Sequence, residues 1–265
     1  MLLALDVGNT NITLGLFRGE EELVGTWRVG TSSGRTADEY GSIIVALVQA
    51  AGLSPRDIAA MVVACVVPQA AGPLREMAQR YFRTDPLFVE PGVRTGIAIV
   101  TDNPQEVGAD RIANAVSAYG RHGGPAVVVD IGTATTFDAI SAKGEYLGGA
   151  IAPGIGIASE ALFSRTAKLP RVELRRPPHA IGRNTVASIQ SGLIFGYAAL
   201  IDGLVARLSI ELAPPAGAGV RVIGTGGHFD VLAEEVQTVQ FVEPDLTLDG
   251  LRRIWHRNHG KRSRC

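Results

Sequence analysis

Two stretches of this chain put an aspartate where a strand runs out. They are Leu2-Leu3-Ala4-Leu5-Asp6-Val7-Gly8-Asn9-Thr10-Asn11 and Ala126-Val127-Val128-Val129-Asp130-Ile131-Gly132-Thr133-Ala134-Thr135-Thr136, nearly half a chain apart. In each, an apolar run leads into Asp-x-Gly and then into small hydroxyl or amide residues. A short apolar run bounded by glycine reads as a buried strand. A carboxylate at its end can hold a hydrated metal ion. Glycine lets backbone N–H groups approach a phosphate with no side chain in the way. One such turn alone is as well explained by a hairpin in which Asp6 and Asn9 bond their own backbone. Two copies favour a nucleotide, and so does a third glycine-rich loop, Gly224-Thr225-Gly226-Gly227, after the strand pattern Val220–Ile223. In that layout the hairpins take the phosphates and the third loop gives flat backbone access to an adenine ring.

Other nucleotide chemistries fail on their own signatures. There is no Gly-x4-Gly-Lys-Ser/Thr string, and the protein-kinase His-Arg-Asp and Asp-Phe-Gly strings are missing. Gly154-x-Gly156 lacks the third glycine and the acidic residue of a dinucleotide fingerprint. The lysines are Lys143, Lys168 and Lys261, none in a glycine-rich turn. A phosphate site here must therefore offset charge with metal ions, backbone N–H groups or arginine, which makes a bound monovalent cation attractive.

A second motif, Gly108-Ala109-Asp110-Arg111, suits an acceptor substrate. Gly108 and Ala109 strip side chains from a helix start, Asp110 is an acceptor, and Arg111 is a bidentate donor for a carboxylate. A solvated helix surface with a local Asp–Arg pair explains the same four residues. Gly182-Arg183-Asn184-Thr185 precedes a long helical pattern and reads equally as an N-cap made by Thr185 or Ser188. His179, His228, His256 and His259 show no ligand or triad spacing.

The elements that must position these groups follow from periodicity. Residues 2–7 and 12–17 form a hairpin, 28–36 a loop, and 38–51 a helix. Strands follow at 61–67 and 87–89, with a helix at 73–82 between them. Asp102 to Glu106 reads as a helix start running to about Tyr119, and Gly123-Gly124-Pro125 marks the half boundary. The second half repeats the hairpin, bends at 153–156, and carries a helix from Ser188 to Leu212. Gly192, Gly196 and Gly203 weaken that helix by roughly 1 kcal/mol each relative to alanine, so close packing on another backbone is expected there. A last helix ends near Asn258.

Hydrophobic content of 46% against 19% charged residues is enough for a sizeable core and argues against disorder. The net charge of −1 gives no footprint for nucleic acid or an anionic membrane. The one basic cluster, Arg252-Arg253 through Lys261, Arg262 and Arg264, reads as a solvated terminus. Cys65 reads as a core residue, and with Cys265 as the other cysteine no disulfide framework or cysteine-rich zinc site is possible. No cleavage signal and no uninterrupted apolar run of membrane length are found, so a soluble cytoplasmic protein is expected.

Together the motifs, in order and spacing, resemble type III pantothenate kinase over residues 1 to about 258. The resemblance implies the duplicated ribonuclease H-like fold of acetate and sugar kinases, actin and chaperone ATPases, an α/β architecture of two mixed-sheet halves with a nucleotide cleft between them. The halves would be residues 1–122 and 123–258, followed by a basic tail at 259–265. It implies a homodimer that uses ATP to phosphorylate pantothenate to 4′-phosphopantothenate, the first step towards coenzyme A. Magnesium and a monovalent cation, potassium or ammonium, would assist. Carried over by position, Asp6, Val7, Gly8, Asn9, Thr10, Asn11, Ile12 and Thr13 bind ATP, with Thr133 adding a contact from the second turn. Asp6 meets magnesium through water and Asp130 holds the monovalent cation. Gly108, Ala109, Asp110, Arg111 and Thr185 contact pantothenate, and Asp110 is the proton acceptor. The family usually has tyrosine two residues before Asn-Pro, where it touches substrate; here that position is Thr101, which offers no aromatic face. A sister kinase acting on a sugar or carboxylate and a non-catalytic nucleotide-binding regulator are the competing readings.

Overall fold

The computed structural model describes residues 1–212 and 219–259. In chain order the strands are β1 (Leu2–Val7), β2 (Asn11–Arg18), β3 (Glu22–Gly30), β4 (Ala60–Cys65), β5 (Leu87–Phe88), β6 (Ala98–Ile99), β7 (Ala126–Ile131), β8 (Ala134–Ile140), β9 (Glu145–Pro153), β10 (Arg221–Thr225) and β11 (Phe241–Val242). The helices are α1 (Ala37–Ala50), α2 (Pro68–Met77), α3 (Ala109–His122), α4 (Ile155–Arg165), α5 (Thr185–Glu211), α6 (Phe229–Leu232) and α7 (Leu246–His259).

The chain forms two compact units. The first comprises Met1–Ile97, Asn103–Ser117 and the residues from Leu246 onward. Its sheet runs β3-β2-β1-β4-β5, with β1, β2 and β3 antiparallel and β4 and β5 parallel to β1. Because strand side chains alternate, the register Leu3↔Leu16, Leu5↔Leu14, Val7↔Ile12 puts six apolar residues on one face. That face meets Tyr40, Ile44 and Val48 of α1 and Leu74 and Met77 of α2. Truncating one of these leucines to alanine costs about 2–5 kcal/mol. Thr36 starts α1 with a capping box: its hydroxyl accepts from the Glu39 amide at 3.3 Å, and its own amide donates to Glu39 at 2.7 Å. α7 packs on β1, β2 and β4.

The second unit comprises Ala98–Asp102 and Ala118–Asp245. Its sheet runs β11-β10-β7-β8-β9-β6, and β7, β8 and β9 repeat the antiparallel arrangement of β1, β2 and β3. Val127, Val129, Ile131 and Phe137 join Ile189, Leu193, Ile194, Ile201 and Val205 of α5 in one core. α5 has the length and apolar composition to cross a membrane, yet this face of it lies inside the second unit.

Several expectations are corrected. Arg28–Gly30 is the end of β3, whose mixed polar pattern hid it, and the loop begins only at Thr31. The helix expected from residue 102 is a single turn, Pro104–Glu106; extended Val107 (ψ 122°) breaks it, and α3 starts at Ala109. The bend at 153–156 closes β9 and opens α4, with Gly154 as its N-cap. The compact units also cross the boundary drawn at 122, because buried Leu246, Leu251 and Ile254 bring the last helix onto the first sheet. Arg252 and Arg253 are consequently part of that packed helix and not a solvated tail; Arg252 is buried. Residues 260–265, with Cys265 and the rest of the basic cluster, lie outside the described residues. Finally, an added Cβ at Gly192, Gly196 or Gly203 meets nothing within 4 Å, so no described part of this chain packs closely on them.

Candidate active site

The first Asp-x-Gly turn caps β1. Asp6 pairs with Thr13 and Ala64 in the sheet and is half-buried. Asn9, Thr10 and Asn11 are exposed. The turn is closed by the Gly8 amide, which donates to Asn11 O at 3.0 Å. It is braced from β3 and the loop after it: Thr31 Oγ1 donates to Gly8 O at 2.7 Å and the Thr31 amide to Thr10 O at 2.9 Å. Thr31 carried no signal in sequence. It lies in Gly30-Thr31-Ser32-Ser33-Gly34, which has the Gly-x-Ser-x-Gly spelling of a hydrolase elbow. Here that string forms the end of a strand and an exposed loop that steadies the Asp6 turn. Cys65, beside this turn, donates to Val67 O at 3.2 Å, and burial pushes its thiol up, as for an inert packing residue.

The second turn is a residue shorter. Val7 pairs with Ile12 across the first hairpin, whereas Ile131 pairs with Thr135 across the second. The closing bond correspondingly runs from the Gly132 amide to Ala134 O, at 2.9 Å. Three segments of the second unit converge here. The Gly154 amide donates to Thr133 O at 3.1 Å, and the His228 amide donates to Ile131 O at 3.0 Å. Gly226, at φ +99°, sits so close that a Cβ would lie 2.5 Å from both Asp130 Oδ1 and the Ile131 nitrogen. Only glycine satisfies both demands. The adenosine-loop candidate is therefore pressed against the second Asp turn, and His228, ordinary by sequence spacing, helps to hold it.

The acceptor motif opens α3. A Cβ on Gly108 would overlap Asp110 Oδ1, so the missing side chain is what lets the Asp110 carboxyl fold back over the helix start. There Oδ1 accepts from the Arg111 amide at 2.8 Å. Ala109 and residues 112–118 are buried, which rules out a solvated helix surface. Desolvation pushes the half-buried Asp110 carboxyl above the usual carboxylate range. The Arg111 amide and guanidinium charge pull the other way without cancelling it.

The remaining candidates are dispersed. Asn184, not Thr185 or Ser188, caps α5, accepting from the Ala187 amide at 2.9 Å, so exposed Thr185 stands at the helix start without that duty. Thr101 belongs to the second unit, Asp110 to the first. The Thr101 hydroxyl oxygen is buried with no hydrogen-bond partner among the described residues.

A metal would find no ready cage here: among the described residues no three His, Cys, Asp or Glu side chains cluster. The donor set fits an ion that brings most of its own ligands. Asp6 could meet magnesium carried by a triphosphate. Asp130, with the carbonyl-rich turns around it, offers oxygen to a monovalent cation.

Comparison with known proteins gives a consistent picture. The pattern of the type III pantothenate kinase family matches residues 2–207. A type III pantothenate kinase of Myxococcus xanthus is 55% identical over 259 residues, covering 98% of this chain and 99% of that protein. One of Moorella thermoacetica is 53% identical over 258 residues, covering 97% and 100%. Among solved structures, a Campylobacter jejuni protein provisionally described as a Baf family transcriptional activator superposes with a TM-score of 0.62 at 20% identity, covering 97% of this chain and 98% of its own. The Clostridium difficile activator of 2-hydroxyisocaproyl-CoA dehydratase, with ADPNP bound, superposes at 0.51 and 12% identity, covering 97% and 93%. At those identities the structural matches speak to fold alone, the duplicated α/β fold of actin-like ATPases and sugar kinases.

The raised Asp110 carboxyl has a stability signature. Above its folded pKa the group is a desolvated carboxylate, which disfavours the native state. Below the unfolded value, about 3.9, both states are protonated and the penalty is gone. Asp110→Asn keeps the acceptor for the Arg111 amide. It should therefore melt higher than the parent near pH 7, and the gain should vanish below about pH 4. Melting curves across that range that show no gain at neutral pH would refute the desolvated site.

Proposed function

The chain belongs to the type III pantothenate kinase family, and on that premise we propose that Asp110 accepts the proton of the pantothenate hydroxyl while the Asp6 turn carries the ATP phosphates. The reaction is the ATP-dependent phosphorylation of pantothenate to 4′-phosphopantothenate, which opens coenzyme A biosynthesis. Phosphoryl transfer asks the protein for alignment and charge more than for covalent chemistry. The hydroxyl oxygen bonds to the γ-phosphorus, the bond to the bridging oxygen breaks, ADP leaves, and the hydroxyl proton passes to Asp110. What carries this role is the Asp110 carboxyl, folded over Gly108 and raised by desolvation. An aspartate so raised is a better proton acceptor near neutrality than a solvated one.

Around it, Gly108 and Ala109 leave room for the acceptor, and Arg111 suits its carboxylate. Thr185 adds a contact, and Thr101 replaces an aromatic face with a small polar one. Residues 6–13 and Thr133 hold the nucleotide; the exposure of Asn9, Thr10, Asn11 and Thr133 supports that. Magnesium and a potassium or ammonium ion would supply positive charge to the phosphates, beside Asp6 and Asp130 respectively. The cytoplasm is the compartment for such a kinase, with no nucleic-acid or membrane partner.

A second copy of the chain is the proposed occupant of the outer face of α5. Gly192, Gly196, Ala199, Gly203, Ala206 and Ile210 are all exposed and recur at helical spacing, so they share one face. Nothing in the described chain packs closely on its three glycines, and Ile210 is 78% exposed. Small residues on an apolar helix let a second backbone come close.

Four outcomes test this. Asp110→Asn should lower pantothenate-dependent ADP release by ~10²–10⁴-fold while ATP affinity stays nearly constant; wild-type turnover would exclude Asp110 as the base. ADP release that does not depend on pantothenate would favour the regulator or sister-kinase readings instead. Activity should need potassium or ammonium, and Asp130→Ala should lose that response, so full activity in sodium and magnesium alone would remove the cation from Asp130. Light scattering should return twice the chain mass for the parent and the single mass for Gly196→Arg, and a monomeric parent would sink the α5 interface.

A further inference from the structure

The helix that carries Asp110 is gripped further along by the last helix of the chain. Thr247 Oγ1 of α7 donates to Asn114 Oδ1 of α3 at 2.7 Å. Ser117 Oγ donates to Asp249 Oδ2 at 2.6 Å. Next to these residues the backbones close up, since a Cβ on Gly250 would overlap the Ala113 carbonyl oxygen. Asn114 and Ser117 are fully buried and Asp249 nearly so. Asp249 is itself held from two sides. Arg252 donates to Oδ1 through Nε at 3.1 Å and Nη2 at 2.6 Å, and Arg253 Nε donates to Oδ2 at 2.7 Å. Arg252 Nη1 in turn bonds the Glu20 carbonyl at the β2–β3 turn, which anchors the assembly to the first sheet.

Asp110, Asn114 and Ser117 are spaced four and three residues apart, so they lie along one face of α3. A buried face is cheapest to fill with apolar residues; polar groups and ion pairs there gain little stability and cost desolvation. What they add is register. An apolar face can slide or rotate with small loss, whereas two hydrogen bonds to fixed partners hold one rotation and one axial position.

We propose that α7 is a positioning device for the acceptor site: the Thr247–Asn114 and Asp249–Ser117 bonds fix the register of α3, and with it the place of the Asp110 carboxyl. The proposal rests on Asp110 being the proton acceptor. Thr247, Asp249, Asn114 and Ser117 touch no reacting atom and act through the helix.

The test uses Thr247→Val, which keeps shape and removes the hydroxyl, alone and with Ser117→Ala, which leaves Asp249 its two arginines. Misplacement by about 1 Å can cost ~10²-fold in rate, so kcat per folded protein should fall roughly 10- to 100-fold in the double variant. KM for ATP should stay within about twofold, since the Asp6 turn is not on α3. The acid limb of the kcat profile should move to lower pH, because a loosened first turn lets water back to Asp110. Thr247→Ser, which restores the hydroxyl, should recover kcat. Val48→Ala, in the α1 core of the same unit, should lower the melting point with kcat unchanged. If the double variant melts lower yet keeps kcat and the acid limb, α7 is only a brace and the proposal falls. If Asp110→Asn itself keeps wild-type turnover, the base assignment fails first. If Asp110→Asn is inactive while the α7 variants turn over normally, the positioning role alone is overturned.

Discussion

A carboxylate cannot be taken far into a protein core without several kcal/mol of desolvation cost, about the order of a small domain's whole stability. That limit governs where this chain can do chemistry. β1 and β7 share one burial pattern: four buried apolar residues, a half-buried aspartate, then one more buried residue. Each aspartate lies one position from the end of its strand, on the sheet face opposite the apolar residues that meet α1 and α2 or α5. Asp110 obeys the same rule at the other end of an element. It occupies the first turn of a helix that is buried from Ile112 to Ala118. In all three places the core supplies rigidity and the end of the element supplies access.

The duplication is plain in topology and inexact in detail. The first turn is longer, leaves Asn9 to Asn11 in solvent, and is braced by Thr31. The second is shorter and is drawn into a tight meeting of three segments around Asp130, where Gly226 admits no side chain. Exposed amides suit a polyanion. A carboxylate ringed by backbone suits an ion that needs few ligands from side chains. The two turns therefore differ in length, exposure and bracing although their strands share one topology.

Chain order and spatial order part company at the C-terminus. After a whole second unit, α7 returns to the first sheet and ties itself to α3 through buried polar groups. His256, on the same helix, illustrates the setting: burial and then the Arg252 charge push its imidazole down. Buried polar and charged residues join α7 to α3, and the residues they hold lie on the Asp110 face.

Much of this was legible in the residues themselves. The hairpins, the register-setting alternation, both Asp-x-Gly turns, the Gly108–Arg111 motif and the long helix read as Ser188–Leu212 all announce themselves, because hydrophobic period and glycine act over a few neighbours. β3 did not, since its exposed face carries mixed residues, and neither did the break at Val107, since Asn103-Pro104 also reads as a start. Tertiary structure alone decided the rest. The raised Asp110 carboxyl, the Thr31 brace, Gly226 against Asp130 and the return of α7 each depend on groups remote in sequence from the residue they affect. Desolvation and close approach are sums over whatever the fold brings near, and no local pattern encodes what that will be.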